Sequence, residues 1–121
     1  MSKSAFTLKA FSLYVLAAGA AFALVPATIL ELAGLAPTAD VWPRIVGLMA
    51  LVIGVYYQVA AHTGARAVIG ASILTRGAFS LAIGALVGLR LAPLPMLLFG
   101  VIDLAGALWT YVALQSETQL A

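Results

Sequence analysis

Residues 67–89 read AVIGASILTRGAFSLAIGALVGL, an apolar run carrying one charge, Arg76, near its middle. Lipid offers no hydrogen-bond partner to an exposed backbone, so a crossing segment must close its own bonds, and a helix needs about 20 mostly apolar residues to span. This run is long enough. It lacks the alternation of apolar and polar residues that a membrane barrel strand requires. Three further stretches read the same way: Phe6 to Val25, stopped by Pro26; Val41 to Ala61, before His62-Thr63-Gly64-Ala65-Arg66; and Pro95 to Leu114, ahead of Gln115, Ser116, Glu117 and Thr118. Pro95 suits a first helical turn. The expectation is an all-α integral membrane bundle of four transmembrane helices, one membrane domain over residues 1–121.

Composition agrees. Of 121 residues, 64% are hydrophobic and 8% charged, with a mean hydropathy of +1.15, whereas an ordinary soluble chain is about 25% charged. Six basic and four acidic side chains give a net charge of +2, too few charges to imply a polyanion, so no nucleic-acid partner is expected. The absence of cysteine removes disulfides, thiolate metal ligands and thiol catalysis together. Lys3 and Lys9 ahead of the run containing Ala21-Phe22-Ala23 also fit a cleavable secretion signal. The stretch is long enough to span, and we read it as the first helix of the mature protein.

Lys and Arg in short loops set orientation. Lys3, Lys9 and Arg66 fall on one side against Arg44 and Arg90 on the other, which predicts both termini in the cytoplasm. The segment from Pro26 to Asp40 is too apolar for a free loop, with Ile29, Leu30, Leu32 and Leu35 among two acids. A short interfacial helix over about 28–34 is expected there. Thr28 and Glu31 match a capping box, Gly34 is placed to end the helix, and Asp40 is a candidate N-cap for the next span. Trp42, Trp109 and Tyr111 fit the interfacial aromatic belts.

Most charges sit at span ends. Arg76 and Asp103 do not, and counting at 1.5 Å per residue puts both within roughly 5 Å of the midplane. A charge at that depth costs about 2.5–3.5 kcal/mol on insertion scales, so opposite signs at equal depth on consecutive helices predict that the two meet. Ser72, Arg76 and Ser80 fall at i, i+4 and i+8 and continue into Gly84 and Gly88, one polar-then-small stripe. On the last helix Gly100, Asp103, Gly106, Ala107 and Thr110 share a face; on the second, Arg44, Gly47, Leu51, Gly54 and Gln58 do so less cleanly, with Tyr57 alongside. Tyr14 is near the centre of the first span. The bundle interior is the inferred site.

Two readings stand side by side. An Arg76–Asp103 pair can simply neutralise two charges and lock helix register. Alternatively, it lines a polar cavity in which Arg76 receives an anionic or carbonyl group, Asp103 orients it or exchanges a proton, and Tyr14, Tyr57, Ser72, Ser80 or Thr110 supply hydrogen bonds. Glu31 and Arg44 form a second candidate pair at the outer boundary, where capping by Glu31 and headgroup contact by Arg44 explain them better than pairing does. His62 is the only histidine and sits at a span end, so no metal site and no bis-histidine haem are expected. The glycines have helix-packing spacing rather than that of a phosphate loop or dinucleotide fingerprint.

Val25-Pro26-Ala27-Thr28, Glu31-Leu32-Ala33-Gly34-Leu35, Trp42-Pro43-Arg44 with Gly47, Gly54-Val55-Tyr56-Tyr57, the central Arg76 and Asp103 with Gly106 span most of the chain. In this pattern the chain resembles small bacterial inner-membrane proteins of the DoxX-like kind. The resemblance implies a bacterial cytoplasmic membrane, and for some relatives a role as membrane partner of oxidoreductases or of quinone-linked sulfur oxidation. It assigns no catalytic residue here.

The functional expectation is a buried polar site that binds a hydrophobic or lipid-like ligand or serves a membrane-protein partner, with the bilayer as the other partner. No resident cofactor is expected, though a quinone or lipid would suit the site. The alternatives are a small transporter or transporter accessory subunit with a titrating Asp103, and a membrane enzyme using acid–base chemistry on a lipid-soluble substrate. A homo-oligomer through the small Ala17 to Ala21 surface is a further expectation.

Overall fold

A computed structural model describes the chain through residue 120, with side chains through 117. The first helix, α1, spans Lys3–Leu24 and opens on Ser2, whose hydroxyl accepts from the Ala5 N–H at 3.1 Å. That bond satisfies one of the donors every helix start leaves unpaired. The short α2 spans Pro26–Leu32, α3 Trp42–Thr63, α4 Arg66–Gly88 and α5 Leu97–Leu120, the last preceded by a 3-10 turn at Leu94–Met96. Four of these helices are long and apolar enough to cross a membrane.

Pro26 opens α2 directly, behind Val25, which makes no side-chain cap. The expected capping box is therefore not formed. Thr28 lies inside the helix, because a proline at the first turn, with its preset φ and no donor to satisfy, starts it two residues earlier. Gly34 does end it: at φ 80 it lets Leu35 N–H reach the Leu30 carbonyl at 2.8 Å, and its own N–H reaches Glu31 at 3.0 Å. This is a Schellman closure, completed by burial of Leu30 and Leu35. Asp40 is likewise not the cap of α3, whose N-cap is Val41. Gly64, at φ 65, reverses the chain between α3 and α4, with Ala65 N–H on the Ala60 carbonyl at 3.0 Å.

The long helices pack as two couples, α1 on α3 and α4 on α5, joined mainly where α1 meets α5; α3 and α4, consecutive in sequence, touch little. Glycines set the first couple. A Cβ on Gly47 would lie 2.5 Å from the Ala23 nitrogen and from the Gly19 carbonyl, and one on Gly54 2.6 Å from Leu16. The small surface around Ala17 to Ala21 thus has its glycine, Gly19, buried inside the molecule against α3. Backbones that approach this closely maximise dispersion contact, the main attraction between helices where no hydrophobic drive separates side chain from solvent.

The glycines of α4 behave differently. Gly70, Gly77, Gly84 and Gly88 have open space above their Cα atoms. The buried face of α4 is Ile69, Ser72, Arg76 and Ile83, so Gly84 and Gly88 do not continue the Ser72–Arg76–Ser80 stripe. The reason is angular: each step of four residues advances 400°, so a stripe drifts about 40° per turn and leaves the face by its third repeat. Leu74, Leu81 and Val112 are among many large apolar side chains that point outward.

Candidate functional site

Arg76 is 2% exposed. Its guanidinium lies one turn back along α4: Nε donates to the Ser72 carbonyl at 3.1 Å, and Nη2 donates to Ser72 Oγ at 3.1 Å and to Thr110 Oγ1 at 2.9 Å. The guanidinium carbon sits 4.6 Å from the centre of the Phe11 ring and 5.9 Å from that of Tyr57. Both are cation–π distances. Gly106 makes room for this arrangement, since a Cβ there would come within 2.6 Å of Phe11 and 3.1 Å of Arg76 Nη1. Among buried side-chain polar atoms of the described residues, Nη1 alone has no hydrogen-bond partner.

The expected Arg76–Asp103 contact is not formed. Arg66 with Glu117, at 3.1 Å, is the one ion pair among the described residues. Helical side chains lean toward the N-terminus of their own helix, and α4 and α5 run in opposite directions, so two residues at similar depth lean apart. Arg76 therefore meets Thr110, which lies two turns, or about 10 Å, along α5 from Asp103. Asp103 is half-buried and within electrostatic range of Arg76 and Tyr14, but neither donates a hydrogen bond to it.

From Arg76 a polar chain runs to one end of the bundle. Thr110 and Thr7, both buried, share a hydroxyl–hydroxyl hydrogen bond of 2.9 Å, and Thr7 Oγ1 donates to the Ser4 carbonyl at 2.7 Å. The single Thr7 hydroxyl proton is shared between two acceptors, Thr110 Oγ1 and the Ser4 carbonyl. Ser4 closes the chain: its N–H and Oγ donate to the two Glu117 carboxylate oxygens at 2.6 and 2.9 Å, and Arg66 donates to the same carboxylate. Glu117, a residue that span-end topology alone accounts for, thus caps the positive end of α1.

The remaining candidates divide. Tyr14 and Tyr57 are half-buried and flank Phe11, with ring centres 5.5 and 6.3 Å from it, so they wall the site. Ser80 Oγ lies 2.9 Å from the Arg76 carbonyl and 2.8 Å from the Gly100 carbonyl, tying α4 to α5 rather than facing the guanidinium. Glu31 and Arg44 do not pair. Arg44 Nη1 instead donates to the Ala23 carbonyl, one of the acceptors left open where α1 ends. Phe11, Thr7, Ser4 and Ser12 were not singled out from sequence; Ser12 is fully buried and accepts from Gln58 Nε2 at 2.6 Å. Their spacing on α1, with Ser4, Leu8 and Ser12 four apart and Thr7 and Phe11 between them, is the signal that marks this face.

No protein-family model matches the chain, and no curated protein or solved structure matches it significantly.

Proposed function

We propose that the chain is a four-helix protein of a bacterial inner membrane, both termini cytoplasmic, whose interior binds the polar head of a lipid-soluble ligand. The orphan Arg76 Nη1 carries this reading. A buried donor without a partner loses about 1–3 kcal/mol, more when charged, and native interiors rarely leave one. An acceptor oxygen of a carbonyl, quinone or carboxylate restores that bond, and Phe11, Tyr14 and Tyr57 offer ring faces to the rest of the head group. Beyond Asp103, Phe22 and Phe99 pack across the interior with ring centres 5.8 Å apart. That favours a blind site over a path open at both ends. Sparse contact between α3 and α4 supplies the lateral entry from lipid, beside Tyr57. The DoxX-like resemblance extends the reading to a partner role with a membrane oxidoreductase.

The test is equilibrium binding of tritiated decylubiquinone and of tritiated oleic acid to the chain in lipid nanodiscs, counted against empty nanodiscs of the same lipid. Saturable binding of at least one probe is expected. Arg76→Gln weakens it tenfold or more, as loss of a hydrogen bond to a charged donor of about 1.5–3 kcal/mol implies. Equal affinity of parent and variant for both probes overturns the proposal.

A further inference from the structure

At the opposite end of the bundle from Glu117, α1 stops, α2 turns away and α3 begins. These three events enclose a cleft of about 300 Å³ lined by Leu24, Val25, Thr28, Thr38, Asp40 and Arg44, among others. Its two charges are not consumed by each other, because Arg44 and Asp40 form no ion pair. Arg44 uses Nη1 on the Ala23 carbonyl, which fixes the guanidinium at the cleft wall and leaves Nε and Nη2 without a protein partner. The Asp40 side chain has no donor either; only its backbone N–H is engaged, on Thr38 Oγ1 at 3.1 Å. A fixed cation and a free carboxylate thus share one small cleft, with two threonine hydroxyls beside them.

The surroundings give its depth. Leu24 is 74% exposed and Trp42 68%, on helices that both end or begin here. An apolar outer wall beside a polar cleft, with an exposed indole at the same end of the bundle but outside the cleft lining, is the pattern of a membrane–water boundary. An arginine at that level is suited to a phosphodiester, whose planar pair of oxygens matches its fork of donors. Asp40 decides what the phosphodiester carries. It repels a headgroup with net negative charge and attracts an ammonium. Among the residues that line the cleft none is aromatic, so a quaternary ammonium, which donates no hydrogen bond and is held by aromatic faces, finds nothing to hold it. A primary ammonium donates to a carboxylate and to hydroxyls.

We propose that this cleft binds the phosphoethanolamine headgroup of a zwitterionic membrane lipid, Arg44 taking the phosphodiester and Asp40 the ammonium. The site lies apart from Arg76 and does not depend on a ligand there; it requires only that the chain be membrane-inserted.

The experiment is native mass spectrometry of the full chain from detergent micelles containing equal amounts of dioleoyl phosphatidylethanolamine, phosphatidylcholine and phosphatidylglycerol. Retention of the ethanolamine lipid at least fivefold over each of the others is expected. Asp40→Asn folds as the parent, since the carboxylate makes no protein hydrogen bond, and brings the preference over phosphatidylglycerol below twofold. Arg44→Gln lowers retention of the ethanolamine lipid at least fivefold. Equal retention of the three lipids, or an undiminished preference in Asp40→Asn, overturns the proposal. Displacement of the lipid by equimolar soluble glycerophosphoethanolamine overturns the lipid as the source.

Discussion

Gly106 is where one missing methyl group matters most for the site. Gly106→Ala drives its Cβ into Phe11 and toward Arg76, an overpacking expected to cost about 1–3 kcal/mol. Reversible unfolding in mixed micelles is expected to show that loss, with part of it recovered when Phe11 is also reduced to leucine; undiminished stability of Gly106→Ala would exclude the described packing. The Arg76 geometry makes a second prediction. In double-mutant cycles, Arg76 couples to Thr110 by about 0.5–3 kcal/mol, as contacting residues do, and less to Asp103, which it does not contact. A larger coupling to Asp103 would restore the ion pair that sequence position alone suggests. Arg90 has φ 62, in the left-handed region that suits glycine; Arg90→Gly is expected to leave thermal stability unchanged or raised.

Elements differ in how they use glycine, and the difference can be measured. On α1 and α3, Gly19→Ala and Gly47→Ala place a methyl group 2.5–3.1 Å from neighbouring atoms, most of them backbone that cannot rotate away. On α4, Gly77→Ala and Gly84→Ala meet nothing within 4 Å and gain helix propensity of up to about 1 kcal/mol. Thermal denaturation in one detergent should therefore fall for the first pair and hold or rise for the second. Such opposite signs follow from packing alone, because all four positions look alike in an apolar helix. The end of α1 makes a related point: Glu117, far away in sequence, caps its start, and Arg44 caps its finish. Helix ends take polar partners from wherever the fold brings them, because each end leaves backbone N–H or carbonyl groups without a partner inside the helix.

At the scale of the molecule, the arrangement proposed is a bundle whose polar chain opens at the cytoplasmic end and whose opposite end carries the Asp40–Arg44 cleft. Since the chain has no cysteine, single introduced thiols report sidedness cleanly. Thr63→Cys is expected to react with an impermeant maleimide only after cells are permeabilised, and Thr38→Cys in intact cells. The reverse pattern inverts the topology.

Four apolar helices, the break between the second and third of them at residues 62–66, the glycine stop of α2 and the burial of Arg76 were all legible in the sequence. Each depends on local physics: helix length, the φ a residue tolerates, and the cost of exposing a charge to lipid. The partner of Arg76 was not legible, nor were the roles of Glu117, Arg44 and Phe11. Depth counted along a chain locates a Cα atom, whereas contact depends on which way side chains lean and which helices become neighbours. Antiparallel α4 and α5 carry Arg76 and Asp103 apart, and the packing of α1 on α5 brings Thr7 and Ser4 to Thr110 across about a hundred positions of sequence; only the tertiary structure decides that.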